Sequence, residues 1–234
     1  DLAAAPLKRP VYLAFSYDEE VGCLGAPDMI AALALEDSRP TAVIVGEPTS
    51  MQAVRGHKGI AVFTVTVTGR AAPSRLPRHV AAPVMAAVPL MASLKGLADG
   101  MQAQADPSSP FLPRGPSLTI GQVQGGTAVN ILAKQCQFLF DLRCPPGADP
   151  MAILQPFFEE AEALDAALKA RAPEAGVSIV RRSLTPAFAP EQDGAAERLA
   201  RRLAGDNGPA RVVSYAAEAG QFQQAGFSTV ICGP

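Results

Sequence analysis

Two short acidic segments hold the residues best suited to chemistry in this chain: Asp18-Glu19-Glu20 and Gly46-Glu47-Pro48. Each directly follows an apolar run, Val11 to Tyr17 before the first and Ala42 to Val45 before the second. Such runs read as strands buried on both faces of a parallel sheet. Open α/β sheets build their sites at the carboxyl ends of those strands. Neighbouring residues in extended backbone point in opposite directions, so Glu19 and Glu20 can serve two tasks from one turn. Three carboxylates converging on one crevice repel each other unless a cation sits between them, and oxygen donors suit zinc or another divalent metal. The competing reading is a solvated acidic loop beside an unrelated surface glutamate.

The elements that must position these residues follow from the hydrophobic pattern. Ala26 to Leu35 has the length and alanine content of a crossover helix between the two strands, giving a strand–helix–strand unit. From Gly59 to Thr68 the pattern changes: Ala61, Phe63, Val65 and Val67 alternate with threonines, as in a strand with one covered face. A helix is expected over about 81–98, with Pro89 kinking its interior. Strands are expected at Ser117 to Ile120 and at Gln135 to Leu142, where Cys136, Phe138, Phe140 and Leu142 share a face. Asp149-Pro150 forms an N-cap and first-turn pair for a helix carrying Ile153, Leu154, Phe157, Phe158, Ala161, Leu164 and Leu168. Val177 to Val180 completes the order strand, helix, strand, strand, helix, strand, which fits a small two-layer α+β domain. A helix from Ala195 to Leu203, closed by Gly205, and an apolar run from Ser228 to Cys232 return to the first pattern. The fold expected is α/β: a parallel-sheet domain over 1–57 and 183–234, with an α+β domain inserted at 58–182.

Composition narrows the class. The chain has 234 residues, 48% hydrophobic and 18% charged, enough apolar content for a sizeable core. Its 20 basic and 22 acidic residues give a net charge of −2, without the basic surplus that phosphate binding needs, so no nucleic-acid partner is expected. No apolar run approaches the roughly 20 residues that span a bilayer, and the first residues lack the pattern of a leader, so no membrane partner is expected. Cys23, Cys136, Cys144 and Cys232 are scattered without a CxxC pair, which reads as reduced thiols and a cytoplasmic location.

Several motifs, taken in order, resemble one enzyme family. They are Ser16 to Gly25, Val45-Gly-Glu-Pro-Thr49, His57-Lys-Gly59, Gly125 to Asn130, Asp141-Leu-Arg143 and Ser214 to Gly220. The chain resembles the acetylornithine deacetylases, members of the di-zinc metallohydrolase superfamily that includes aminoacylase and succinyl-diaminopimelate desuccinylase. The resemblance implies a partial zinc-hydrolase domain and an inserted ferredoxin-like lid that pairs two copies into a homodimer. It implies Glu19 as the general base for a zinc-bound water, Glu20 and Glu47 as zinc ligands, and Asn130 and Arg143 as residues that hold the substrate. A guanidinium suits that last task, because it grips a carboxylate with two parallel hydrogen bonds. Two zinc ions per subunit are implied, with cobalt as the alternative metal.

The implied reaction is hydrolysis of N-acetyl-L-ornithine to L-ornithine and acetate, a step of arginine biosynthesis, and the implied ligand is a small N-acyl amino acid. The alternatives are a desuccinylase or aminoacylase-like hydrolase, or a non-catalytic fragment acting as a dimerisation module. Departures from the family pattern bear on that choice. Pro73 stands where the family has a histidine that supports the oxyanion, and Ala217 stands where a threonine is usual. The family's remaining histidine and aspartate ligands match nothing here. The two histidines present, His57 and His79, occupy no ligand motif and are expected to be structural or solvated. These 234 residues alone are therefore expected to bind zinc poorly and to release no acetate.

Overall fold

The computed structural model describes residues 10–20, 22–36, 39–69, 72–73 and 82–234. The first elements are α1 (Ala26–Ala34), β1 (Val43–Val45), β2 (Val54–His57), β3 (Gly59–Thr68), β4 (Ala72–Pro73) and α2 (Pro83–Ala103). Next come β5 (Ser117–Gly125), β6 (Ile131–Leu132), β7 (Gln135–Cys144), α3 (Pro150–Lys169) and β8 (Gly176–Thr185). The chain closes with α4 (Ala195–Ala204), β9 (Arg211–Val213), α5 (Ala219–Gln224) and β10 (Thr229–Ile231). Two compact units divide between His57 and Lys58 and again between Ala187 and Phe188. The second division falls beyond residue 182 because β8 runs on to Thr185.

The discontinuous unit holds a four-stranded sheet in the order β1-β10-β2-β9. Pairing is parallel for β1 with β10 and for β2 with β9, but antiparallel for β10 with β2, so the sheet is mixed. Successive residues of a strand face opposite sides. On β10, Ile231 joins Ile30, Val45 and Phe222 in a cluster beneath α1 and α5, while Val230 joins Ala53, Ala196 and Ala200 beneath α4. Helices thus cover both faces.

The expected strand from Val11 to Tyr17 does not form. Residues 10–20 contain no strand, and Phe15 is 86% exposed. Among the described residues none of the four strands of this sheet pairs with the segment, and Val11, Leu13 and Tyr17 are exposed beside Phe15. The Asp18-Glu19-Glu20 turn therefore precedes α1 without following a strand.

The continuous unit has the sheet order β5-β7-β3-β8, with every pairing antiparallel. This is the ferredoxin-like order. Between β3 and β7 the register is unbroken from Gly59↔Cys144 to Thr68↔Gln135. Ala61, Phe63, Val65 and Val67 on β3 and Cys136, Phe138, Phe140 and Leu142 on β7 form one buried face, closed by Leu90 and Leu94 of α2 and Leu154 and Phe157 of α3. Asp149 caps α3, its Oδ1 accepting from the Met151 amide at 2.9 Å. Helix α2 continues through Pro89 to Ala103. At 21 residues it is long and apolar enough to cross a membrane by length and composition, a length the sequence pattern alone did not reveal. Its Ala87, Leu90 and Leu94 are packed into the core of this unit.

Candidate active site

The two acidic segments reach a common place through tight backbone geometry. Asp18 and Cys23 take positive φ angles of 57° and 56°, and the amides of Gly22 and Cys23 both donate to the Glu19 carbonyl at 3.0 Å. The turn ends at Gly25, where a Cβ would run into the Tyr17 carbonyl, so only glycine lets the chain pass directly into α1. The second segment leaves the carboxyl end of β1 beside the carboxyl end of its parallel partner β10. There the Cys232 amide donates to the Val45 carbonyl at 2.9 Å, and the Met51 amide to the Gly233 carbonyl at 2.7 Å. Gly233 lies so close that a Cβ would meet the Gly46 and Glu47 carbonyls.

Electrostatics link the two segments. Burial pushes the Glu19 carboxyl up from its ordinary pKa, and the charges of Glu20 and Glu218 push it further, against a weak Cys23 Sγ contact at 3.9 Å that lowers it. Burial likewise raises Glu47, followed by the charges of Glu19, Glu218 and Glu20. The charges of Glu19 and Glu20 thus reach Glu47 on the other segment. Tyr215 borders the group, its phenol raised by burial and by the Glu47 charge.

Glu218 is the member that the spacing argument did not single out. It precedes α5 and is buried, its Oε1 without a hydrogen-bond partner among the described residues. The signal for it was an acid set in a run of small residues, Ala216-Ala217-Glu218-Ala219-Gly220, where a solvated face would carry more polar neighbours.

The residues can be judged as a home for the implied zinc by their donors. An oxygen-only set of four acids with one orphaned buried oxygen suits the carboxylate share of a divalent-cation centre. Among the described residues, no three His, Cys, Asp or Glu side chains come close enough together to enclose an ion in this conformation. Among the described residues, His57 adds no imidazole to the cluster. His57 is buried, its ring tilted against Phe188 and its Nε2 accepting from the Gly220 amide at 3.3 Å, and His79 lies outside the described residues.

Residues 55–169 match the peptidase dimerisation domain of the M20 family. The acetylornithine deacetylase of Myxococcus xanthus is 29% identical over 240 residues, covering 100% of this chain and 59% of the relative. The acetylornithine deacetylase of Salmonella paratyphi B is 31% identical over 147 residues, covering 63% of this chain and 37% of the relative.

The chain is similar to the M20 family through this domain.

Solved structures agree on the fold. Human carnosine dipeptidase 1 superposes with a TM-score of 0.66 at 15% identity, over 92% of this chain and 58% of that one. A Staphylococcus aureus tripeptidase gives 0.59 at 15% identity, over 89% and 53%. The chain thus spans less than two thirds of these relatives.

The dimerisation domain carries the other expected site residues. Asn130 is exposed in the loop between β5 and β6. Arg143 is half-buried on β7, its Nε donating to Asp141 Oδ2 at 3.1 Å. The departure at Pro73 lies on β4, paired through its backbone with Ile131, the residue after Asn130. Lys58 was not singled out from the sequence. It is fully buried, its Nζ donating to the Pro113 and Gly115 carbonyls at 2.7 Å each, and burial lowers its pKa. It ties the loop before β5 to the first residues of β3.

Proposed function

We propose that the protein is an amidohydrolase that removes the acyl group from an N-acyl amino acid, with N-acetyl-L-ornithine as the substrate. The observation that carries this reading is that a chain similar along its length to an acetylornithine deacetylase sets the charges of Glu19 and Glu20 within reach of Glu47. Glu19, raised by burial, is suited to take a proton from the attacking water and hand it to the departing amine. Glu20 and Glu47 would hold zinc, or cobalt in its place. When bound, the metal lowers the pKa of water and polarises the amide carbonyl. Arg143 would grip the substrate carboxylate, and Asn130 would bind beside it. The match to a peptidase dimerisation domain supports a homodimer through residues 58–187. Four buried cysteines outside any disulfide accord with a cytoplasmic enzyme.

A second reading, a non-catalytic dimerisation module, draws on Pro73 and on the absence of an enclosed metal cage among the described residues. Purified product of the whole gene, supplied with Zn²⁺ or Co²⁺, decides between them. Acetate release faster from N-acetyl-L-ornithine than from N-acetyl-L-methionine supports the proposal, and succinate release from N-succinyl-diaminopimelate in preference to both points to a desuccinylase. No release from any of them supports the module.

A further inference from the structure

The chain leaving β1 makes a turn that its residues do not favour. Ser50 and Met51 both take left-handed φ angles, 52° and 59°, and the Gln52 amide closes the turn by donating to the Thr49 carbonyl at 3.0 Å. Two consecutive left-handed residues are the pattern of a type I′ turn, where asparagine and glycine are the usual choice. Serine and methionine are strained there. Such strain persists only where the surroundings impose it, and it collects at functional sites.

The Thr49 side chain imposes it here. Its hydroxyl donates across the turn to the Gln52 carbonyl at 2.7 Å and accepts from the Gly233 amide at 3.2 Å. The Gly233 carbonyl accepts in return from the Thr49 amide at 3.2 Å and the Met51 amide at 2.7 Å. One hydroxyl thus ties the exit of β1 to the exit of β10. Glu47 stands between this tie and the bond from the Cys232 amide to the Val45 carbonyl. Gly233 packs so closely on the Gly46 and Glu47 carbonyls that no Cβ fits between them, so the backbone beneath Glu47 is held from both sides.

We propose that Thr49 is a positioning residue for Glu47: its hydroxyl holds the strained turn against the exit of β10 and so fixes where the Glu47 carboxylate stands. The inference rests on the amidohydrolase reading, which puts Glu47 among the working residues. Displacing such a group by about 1 Å is enough to cost rate by up to about a hundredfold. Thr49→Val keeps the shape and removes the hydroxyl, whereas Thr49→Ser keeps the hydroxyl.

The test is acetate release from N-acetyl-L-ornithine by the metal-loaded product of the whole gene, at equal metal content, in the parent, Thr49→Val, Thr49→Ser and Ser228→Ala forms. Ser228→Ala is the structural control, since that hydroxyl donates to Glu191 Oε2 at 2.7 Å and accepts from the Ala196 amide at 3.0 Å in the same unit. Thr49→Val is expected to lower kcat about tenfold or more with KM within about twofold, and Thr49→Ser to stay within about threefold of the parent. Ser228→Ala is expected to lose melting temperature and keep the parental kcat. In the metal-free protein, exchange of the Met51 and Gly233 amides, followed by NMR, should speed up about tenfold in Thr49→Val and not in Ser228→Ala. Where Thr49→Val does not fold, Thr49→Ala takes its place. Parental kcat or parental amide exchange in Thr49→Val, or an equal loss of kcat in Ser228→Ala, overturns the positioning role. No release by the parent from any of the N-acyl substrates overturns the amidohydrolase reading instead, and with it the part of Thr49 in the reaction.

Discussion

The amide of Gly220 donates to Nε2 of His57 at 3.3 Å, joining positions 163 residues apart in the chain. That one bond binds the end of β2 to the start of α5. His57 is thereby a structural residue, with Phe188 packed against its ring. His57→Ala removes the ring from a closed core and orphans the Gly220 amide. Unfolding in urea is expected to show a loss of about 2–4 kcal/mol.

Asp206 should govern the acid limb of stability. Its carboxylate accepts from the Ala53 and Gly208 amides at 2.9 Å each and pairs with Arg211 and Arg201. The Ala53 bond leads the interactions that hold its pKa down at about 2, below the ordinary 3.8. As pH falls, the unfolded chain takes up this proton first, so the contribution present above about pH 4 is lost as pH drops towards 2. Asp206→Asn should lower the urea midpoint at pH 7 and flatten the further loss between pH 4 and 2.5.

The glutamate cluster should act in the opposite sense. Burial and neighbouring charge raise Glu47, so between 4.5 and its folded value the folded chain binds more protons than the unfolded one. Stability from this group therefore falls as pH rises through that window, and at pH 7 the ionised cluster opposes folding. In metal-free buffer, Glu47→Gln is expected to raise the melting temperature by about 1–3 °C at pH 7, with little change at pH 4. A lower melting temperature at pH 7 would contradict the electrostatic coupling.

Arg143→Lys tests the proposed grip of Arg143 on a substrate carboxylate. Lysine keeps the charge but loses the planar fork that makes two parallel hydrogen bonds. The expected kinetic result is a rise in KM of about tenfold with kcat nearly unchanged, the mark of lost uniform binding. A fall in kcat at constant KM would place Arg143 in the chemistry instead.

Much of the fold could be read from residue patterns, and the limits were physical. The alternation on β7 marked its buried face because a period of two survives only where one side is covered. Asp149-Pro150 and Gly205 marked helix ends because their backbone preferences are local, and Gly205 does take a left-handed φ of 67°. Val11 to Tyr17 misled because an apolar run looks the same whether or not a neighbouring strand pairs with it. Strands β2 and β9 escaped notice: they are short, and Arg55, Gly56, His57 and Arg211 break the apolar signal. The acids at Glu19, Glu20 and Glu47 stood out by their position after apolar runs. Glu218 and Lys58 did not, since charged residues are rarely fully buried and their burial here depends on contacts distant in sequence.

The central claim is that Glu19 moves the proton in amide hydrolysis. It is tested most directly by acetate release from N-acetyl-L-ornithine, comparing the metal-loaded product of the whole gene with its Glu19→Ala form at equal metal content. The account predicts a fall in kcat of about a thousandfold with metal binding retained. Activity in Glu19→Ala within a few-fold of the parent would contradict it.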